Sequence, residues 1–223
     1  MDFLIIEEVY MSALILNIHS KTPEWRKIKK VSEAITDGAV ILYPTDTGFS
    51  LGCNLSNKEG IERIKSIRKL PEHKEMTFLS DSLSNVSEFA KVSNTAYKTI
   101  KRLVPGPITF ILPATKLIPK YAQDPKRKTV GMRIPDNILC QSIIKQLGHP
   151  LISISAKDPL GRQFEDYDEF IQTFNNQVDL IIKMDEYNFV GESTVVDMTT
   201  DDFVIIRHGA GITKVLEFIE YNE

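Results

Sequence analysis

The sequence predicts an α/β fold: a single domain in which one twisted, mixed parallel and antiparallel sheet is flanked by helices. Strand-like and helix-like segments alternate along the 223 residues, which is typical of a sheet layered with helices. Neighbouring strand-like segments lack an intervening helix near Ile108 and again near Val195, which predicts a sheet that is mixed rather than all parallel. The apolar fraction of 42% and the charged fraction of 26% are those of an ordinary globular protein.

The first half of the chain supplies three predicted strands and three predicted helices. The strands cover residues 14–18, 39–43 and 76–79. Thr22 and Pro23 open the first helix, and Trp25 on its apolar stripe is expected in the core. Ser56 with Glu59 forms a capping box for the second helix. Ser93 caps the third helix, which ends at 105–107 (PGP).

The second half of the chain is richer in strands. The predicted strands cover residues 108–112, 129–134, 151–154, 178–182, 194–197 and 203–206. Asp136 caps a helix that runs to Gly148, and a short helix follows Gly211. We assign residues 11–223 to the domain and interpret residues 1–10 as an extension or a misassigned start, because Met11 begins a more typical opening.

The net charge of −3 conceals two strongly polarised stretches. Residues 91–133 carry ten basic residues and one acidic residue, whereas residues 158–202 carry two basic and twelve acidic residues. A local basic surface can therefore hold the phosphates of ATP or RNA. The acidic stretch should weaken long-range attraction of RNA.

Several common site types are absent from the sequence. It contains no phosphate-binding P-loop, dinucleotide fingerprint, zinc-protease motif or nucleophile elbow. Cys53 and Cys140 lack metal or redox spacing, so we expect two buried, reduced thiols in a cytoplasmic protein. No apolar run has the length of a membrane span, and no side-chain metal site is predicted.

Polar residues follow several predicted strands. Thr45 lies in the loop 43–48 (YPTDTG), which suits an anion or an amino-acid head group but is equally compatible with a plain turn. Lysines and arginines cluster at the end of the second predicted helix, at Lys65, Arg68, Lys69 and Lys74. They form either a phosphate clamp or a solvated face that interacts with the helix dipole.

Arg133 is the strongest single candidate on physical grounds. An arginine within an apolar strand is costly to bury unless it is paired, so it contacts either an anionic ligand or an acidic side chain. Ser155 and Lys157 end another buried strand, and ligands of open α/β sheets bind at such strand ends. Ser193 and Arg207 are weaker candidates of the same kind.

Taken together, five motifs resemble the YrdC-like family. They are residues 43–47 with 51–53 (YPTDT, LGC), 105–109 (PGPIT), 130–135 (VGMRIP), 193–197 (STVVD) and Arg207. The resemblance spans roughly residues 12–213. It implies a mixed sheet around a basic concave cavity. It also implies synthesis of threonylcarbamoyl-AMP from threonine, bicarbonate and ATP, with release of pyrophosphate, for t6A modification of tRNA.

The chain departs from the synthase pattern at three positions. Leu70 replaces the second cation of a Lys-x-Arg motif, Lys157 replaces the asparagine of a Ser-x-Asn motif, and Phe49 replaces a tyrosine. Residues 67–71 and 126–135 are more similar to the YciO branch. We therefore expect an anion site whose chemistry is weak or altered. The ammonium of Lys157 is a point charge and does not replace the paired hydrogen bonds of the guanidinium that is lost at Leu70.

The resemblance also implies roles for individual residues. These are Arg68 and Lys74 on the phosphates, Arg133 on the adenylate or carboxylate, Thr45 and Ser155 as hydroxyl donors, Lys157 as a compensating charge, and Ser193 and Arg207 on the nucleotide. Arg68 and Arg133 are the expected catalytic residues. Mg²⁺ is expected to be held through phosphate oxygens. The alternatives are a double-stranded RNA- or nucleotide-binding protein without synthase activity, and a domain with a vestigial cavity.

Overall fold

The computed structural model describes residues 12–71, 76–157 and 167–218. Lys74 and the proposed extension 1–10 lie outside these ranges, so the expectations for them stay predictions. The strands are β1 (Leu14–Ile18), β2 (Ile41–Pro44), β3 (Phe49–Asn54), β4 (Thr77–Leu79), β5 (Ile108–Pro113), β6 (Thr129–Arg133), β7 (Leu151–Ser155), β8 (Leu180–Met184), β9 (Thr194–Asp197) and β10 (Val204–Arg207). The helices are α1 (Trp25–Thr36), α2 (Lys58–Ile67), α3 (Leu83–Phe89), α4 (Asn94–Leu103), α5 (Ile138–Leu147), α6 (Tyr167–Phe174) and α7 (Ile212–Leu216).

All ten strands belong to one mixed sheet, in the order β1-β8-β2-β3-β7-β4-β6-β5-β9-β10. The β5–β6 and β9–β10 pairs are antiparallel, whereas β1–β8, β8–β2, β4–β6 and β5–β9 are parallel. The predicted mixed α/β sheet is confirmed. The β2–β3 and β9–β10 pairs join strands with no helix between them, whereas the antiparallel β3–β7 and β4–β7 pairs join strands that are distant in the sequence.

Apolar side chains pack on both faces of the sheet. On one face, α1 and α5 cover part of β1, β2 and β8, through residues such as Val31, Ile35 and Ile143. On the other face, α2, α4, α6 and α7 contribute residues such as Ile61, Ile100, Phe170 and Val215 to a larger core. The α1–α5 layer does not cover the whole of its face, and the uncovered part forms the candidate site.

Three predicted helix caps are displaced by one or two residues. Glu24 rather than Thr22 precedes α1. The side chain of Asn57 caps α2 by accepting from the Gly60 N–H, and Asn137 caps α5 in the same way, so the capping roles assigned to Ser56 and Asp136 were wrong. In both cases an asparagine one position further along presents its oxygen to a free N–H of the first turn.

Trp25 was predicted to be a core residue, and this is wrong. It is 65% exposed, and the Lys29 ammonium lies 5.9 Å from its ring centroid. The helical stripe is real, since Ile28, Val31 and Ile35 are buried. Trp25 is the first residue of α1 and lies outside the buried part of this stripe.

The sequence analysis missed β3, α3 and α6. In β3, Gly52 and Asn54 weaken the strand pattern, yet all six residues are buried. Gly52 is needed there, because a Cβ atom would lie 2.8 Å from both the Ile152 carbonyl oxygen and the Tyr43 ring. β3 joins β2 to β7, so it is central to the sheet.

Candidate active site

A cavity of about 640 Å³ opens on the uncovered part of the sheet. Its floor consists of short polar side chains and a glycine from neighbouring strands: Ser50, Thr77, Thr109, Gly131, Ser153 and Ser193. Alternate residues of a strand point to opposite faces, so their neighbours Leu51, Phe78 and Ile152 enter the core behind the floor. Small residues leave room for a ligand, and their hydroxyls can donate to it.

The loop between β2 and β3 forms one wall of this cavity. The Thr45 hydroxyl donates to the Gly48 carbonyl at 2.8 Å and accepts from the Thr47 N–H at 3.1 Å. Thr45 is 2% exposed and does not line the cavity, whereas Thr47 does. The Thr45 hydroxyl therefore shapes the turn, and Thr47 presents its own hydroxyl to the cavity.

Arg133 has an acidic partner, which is one of the two alternatives that the sequence left open. Its guanidinium forms an ion pair with Asp46 and donates to the Thr47 hydroxyl at 2.7 Å. Asp46 also accepts from the Asp136 N–H at 3.2 Å. Arg133 is 6% exposed and lines the cavity, so its charge is held by a structural pair beside the space where a ligand can bind.

Arg68 ties the end of α2 to the end of β7. Its Nε donates to the Ser155 carbonyl at 2.8 Å, and one terminal nitrogen donates to the Lys157 carbonyl at 3.0 Å. These two hydrogen bonds hold the backbone of a segment in which the side chains of Ser155 and Lys157 line the cavity. Leu70, at the position expected to lose a cation, lines the cavity as well.

Glu192 stands between two of the predicted cations and was missed by the sequence analysis. One carboxylate oxygen pairs with Lys157, and the other lies 3.3 Å from the Arg207 guanidinium. The hydrogen bond from Lys157 lowers the pKa of Glu192 below its ordinary value, and the charge of Arg207 acts in the same direction. An acid directly before the STVVD motif was the available signal.

Ser193 and Arg207 contact each other where the start of β9 lies beside the end of β10. Arg207 donates to the Ser193 carbonyl at 2.7 and 3.0 Å and to its hydroxyl at 3.0 Å, and that hydroxyl also lies 3.0 Å from the Thr109 hydroxyl. Gly209 permits this close packing, since a Cβ there would lie 2.3 Å from the Glu192 carbonyl oxygen.

Among the residues that the structure describes, five cationic side chains line the larger cavity: Arg68, Arg127, Arg133, Lys157 and Arg207. Asp46 pairs with Arg133, Asp197 pairs with Arg127, and Glu192 pairs with both Lys157 and Arg207. The cavity is therefore basic but internally paired. Arg127 was not singled out from the sequence, where it is one residue of a basic run.

A second cavity of about 370 Å³ adjoins the first and has aromatic walls. The Phe49 ring lies 4.9 Å from Phe170, 5.2 Å from Phe189 and 5.8 Å from Tyr167, measured between centroids. Phe49 therefore contributes to an aromatic cluster at the position where the resemblance implied a tyrosine. Both cavities are lined by Thr47, Ser155, Lys157 and Glu192.

The described ranges contain no group of three or more histidine, cysteine or carboxylate residues that could hold a metal ion. No helix within the same ranges is both long and apolar enough to cross a membrane.

A family model described as "Telomere recombination" (Sua5/YciO/YrdC) matches residues 33–209. The chain belongs to the Sua5/YciO/YrdC family. It is 39% identical to Escherichia coli YciO over 201 residues, which cover 88% of this chain and 96% of that protein. The crystal structure of E. coli YciO matches with a TM-score of 0.83, over 91% of this chain and 98% of that one.

A family member with a named ligand has the same fold. The crystal structure of Pyrococcus abyssi Sua5 in complex with L-threonine matches with a TM-score of 0.82 at 26% identity, over 93% of this chain and 62% of that chain. The threonylcarbamoyl-AMP synthase of Pyrococcus abyssi is 26% identical over 197 residues, which cover 88% of this chain and 57% of that protein. This chain thus spans little more than half of that synthase.

The Sua5/YciO/YrdC fold brings most of the predicted site residues to one cavity. Its lining includes Arg68, Arg133, Ser155, Lys157, Ser193 and Arg207. They lie on α2, β6, β7, β9 and β10 or directly beside the ends of these elements, so their proximity is a consequence of strand order. Their roles toward a ligand stay predictions.

Proposed function

We propose that this family member makes a carbamoyl adenylate from ATP, bicarbonate and threonine or a similar small amino acid. This is the threonylcarbamoyl-AMP synthase reaction, and its product would serve t6A modification of tRNA. The observation that carries the proposal is the larger cavity, where arginine and lysine side chains surround a floor of hydroxyls. The fold that it shares with the threonine-bound protein of Pyrococcus abyssi supports the choice of amino acid.

The proposed chemistry has two steps. The amine of threonine adds to the carbon of bicarbonate, and loss of water leaves a carbamate. A carbamate oxygen then attacks the α-phosphorus of ATP, the bond from that phosphorus to the bridging oxygen breaks, and pyrophosphate leaves. The carbamate is already an anionic nucleophile, so the second step needs no general base.

The protein's contribution is charge stabilisation and orientation. Negative charge grows on the phosphate oxygens during the attack, and cations fixed in place beforehand stabilise it. Lys157 and Arg207 suit the leaving pyrophosphate, and Arg133 suits the adenylate or the amino-acid carboxylate. Arg68, expected on the phosphates, also fixes the carbonyls beside Ser155.

The remaining assignments follow the same scheme. The hydroxyls of Ser155 and Ser193 can donate to substrate oxygens at the cavity edge. Thr45 acts on the substrate through the turn that it shapes, and Lys74 remains an expected phosphate contact. Mg²⁺ enters with ATP as part of the substrate and is held by phosphate oxygens.

The leucine at position 70 should make formation of the carbamoyl adenylate slow. An arginine that contacts the transition state contributes on the order of 2–4 kcal/mol, and leucine supplies no such contact. Lys157 adds a charge at another edge of the cavity, but an ammonium lacks the two-pronged geometry of a guanidinium. We therefore expect turnover well below that of a synthase with the complete motif.

Mass spectrometry tests the proposal directly. The protein is incubated with ATP, Mg²⁺, bicarbonate and threonine, and the carbamoyl adenylate is sought against a heat-inactivated control. We expect product from the native protein and less from Arg133→Ala, which removes a cation from the cavity lining. Product no higher than that of the control refutes the proposal.

One observation favours a second candidate, a nucleic-acid-binding protein without chemistry. Lys98, Lys101 and Arg102 are exposed on α4, whose apolar face packs into the core opposite the cavity. Double-stranded RNA bound there should dissociate as salt rises, because phosphate contacts release counterions. Affinity that does not change between low and moderate salt would rule this candidate out.

A further inference from the structure

A single carboxylate joins two cations that the chain brings from distant segments. Lys157 follows β7 and Arg207 ends β10, and Glu192 directs one oxygen to each of them. Two cations that share the oxygens of one anion are also the arrangement that binds a phosphate group. The Glu192 carboxylate therefore lies where an oxyanion of a ligand would contact Lys157 and Arg207, and it carries the same sign of charge.

This cluster stands where the two cavities meet. Lys157 and Glu192 line both the larger polar cavity and the smaller aromatic one. The Lys157–Glu192 ion pair therefore lies at the boundary between the two spaces.

The Glu192 side chain can turn away from Lys157 and Arg207 into solvent while its backbone stays in place. About a third of it is exposed, at 36%, so its carboxylate can be solvated outside the cluster. Its backbone is held independently, since the Glu192 carbonyl accepts from the Ala210 N–H at 2.7 Å. Ion pairs exposed to this degree stabilise the folded state only slightly, so a multiply charged anion can compete with them.

We propose that Glu192 is an internal competitor for the anionic ligand. In the ligand-free protein its carboxylate occupies the Lys157–Arg207 site, and a phosphate-type oxyanion displaces it. The inference rests on the proposed function only in taking ATP as the natural source of that oxyanion. Inorganic pyrophosphate should be bound by the same two cations.

Calorimetric titration with inorganic pyrophosphate at low ionic strength tests this inference. We expect Glu192→Gln and Glu192→Ala to bind pyrophosphate about five- to tenfold more tightly than the native protein, which corresponds to the loss of one or two exposed ion pairs. Asp136→Asn removes one exposed negative charge beside the Arg133–Asp46 pair and is the control. Its affinity should stay within about twofold of the native value.

A second background shows where the gain arises. In the Lys157→Gln variant, the added Glu192→Gln change should raise the affinity for pyrophosphate by less than half of the factor that it gives in the native protein. The gain is smaller because Arg207 is then the only cation of the pair that loses its contact with Glu192. Equal gains in both backgrounds contradict the inference.

The outcomes separate this inference from the proposed function. If Glu192→Gln binds pyrophosphate no more tightly than the native protein, or if neither protein binds it, the inference is overturned, even when carbamoyl adenylate is formed. A weaker complex would show instead that Glu192 holds the two cations in place for the ligand. Tighter binding without any adenylate product supports the inference and refutes the synthase.

Discussion

Arg133 and Asp46 form an ion pair in which each side chain keeps only 7% of its surface exposed. Arg133 ends β6, and Asp46 lies in the loop after β2, so the pair joins this loop to the cavity floor. The same guanidinium donates to Thr47, which lines both cavities. A buried pair of this kind fixes the geometry of the site, and its removal should be measurable as lost stability.

Asp46→Asn and Arg133→Met should each lower the free energy of unfolding by about 3–5 kcal/mol, because either change leaves the other charge buried without a partner. Urea titration measures this loss. The Lys21–Glu186 pair is exposed, and Glu186→Gln should cost about 1 kcal/mol or less. The double variant Asp46→Asn with Arg133→Met should be less destabilised than the sum of these two single changes, and simple additivity would argue against a coupled pair.

Arg68→Ala should reduce formation of the carbamoyl adenylate by about 10²-fold, because a small displacement of Ser155 and Lys157 misaligns the site. Arg68→Lys should not restore activity, since an ammonium does not reproduce the guanidinium fork. Arg63→Gln is the matched control, because Arg63 lies on the same helix and pairs with the exposed Asp179. Equal activity in the Arg68 and Arg63 variants would contradict the positioning role.

Gly209→Ala should destabilise the protein by about 1–3 kcal/mol, the usual cost of overpacking. The new methyl group would lie 2.3 Å from the Glu192 carbonyl oxygen and 2.6 Å from that of Ser193, so the backbone must move. Thermal unfolding measures the effect. Gly106→Ala is the control, since its nearest contact would be 3.4 Å, and a similar loss in both variants would show that the packing at Gly209 is not special.

The stabilising effect of Glu192 should depend on pH. Lys157 and Arg207 hold the pKa of Glu192 below its ordinary value of 4.5, although partial burial opposes them. The ionised carboxylate therefore stabilises the fold above the unfolded-state pKa, and this contribution is lost as the pH falls through the folded-state pKa. In urea titrations, the stability difference between native protein and Glu192→Gln should be constant from about pH 7 to 5 and shrink below pH 4.5. A constant difference at lower pH would contradict the pairing.

Cys53 and Cys140 should not react with thiol reagents in the folded protein. Both are fully buried, and burial raises the pKa of Cys53 to about 12 and that of Cys140 as well. At about pH 8 almost no thiolate is present to act as the nucleophile. Ellman's reagent should detect two thiols in urea and essentially none in the native protein, and rapid reaction of one native thiol would be inconsistent with this packing.

Much of the fold follows from local patterns that the sequence displays. Runs such as 39–43 and 108–112 are apolar enough to predict buried strands, and the absence of a helix between 197 and 203 predicts the antiparallel β9–β10 pair. Most of the predicted site residues line the cavity for the same reason. Polar residues at strand ends stand out against apolar runs, and neighbouring strands bring them together.

The remaining features depend on tertiary contacts that no local pattern specifies. A helical stripe shows which way Trp25 faces but not whether other residues pack against it, so its exposure could not be predicted. Thr45 and Thr47 are two residues apart in one loop, and only the fold of the turn decides which hydroxyl reaches the cavity.

The sequence by itself determined the class of fold, the family and the strand ends that carry the site. Only the tertiary structure decided how the charges pair. Asp46 meets Arg133 across 87 residues, and Lys157 meets Glu192 across 35. The physical reason is that ion pairing depends on distance in space, and strand order, not sequence separation, sets that distance.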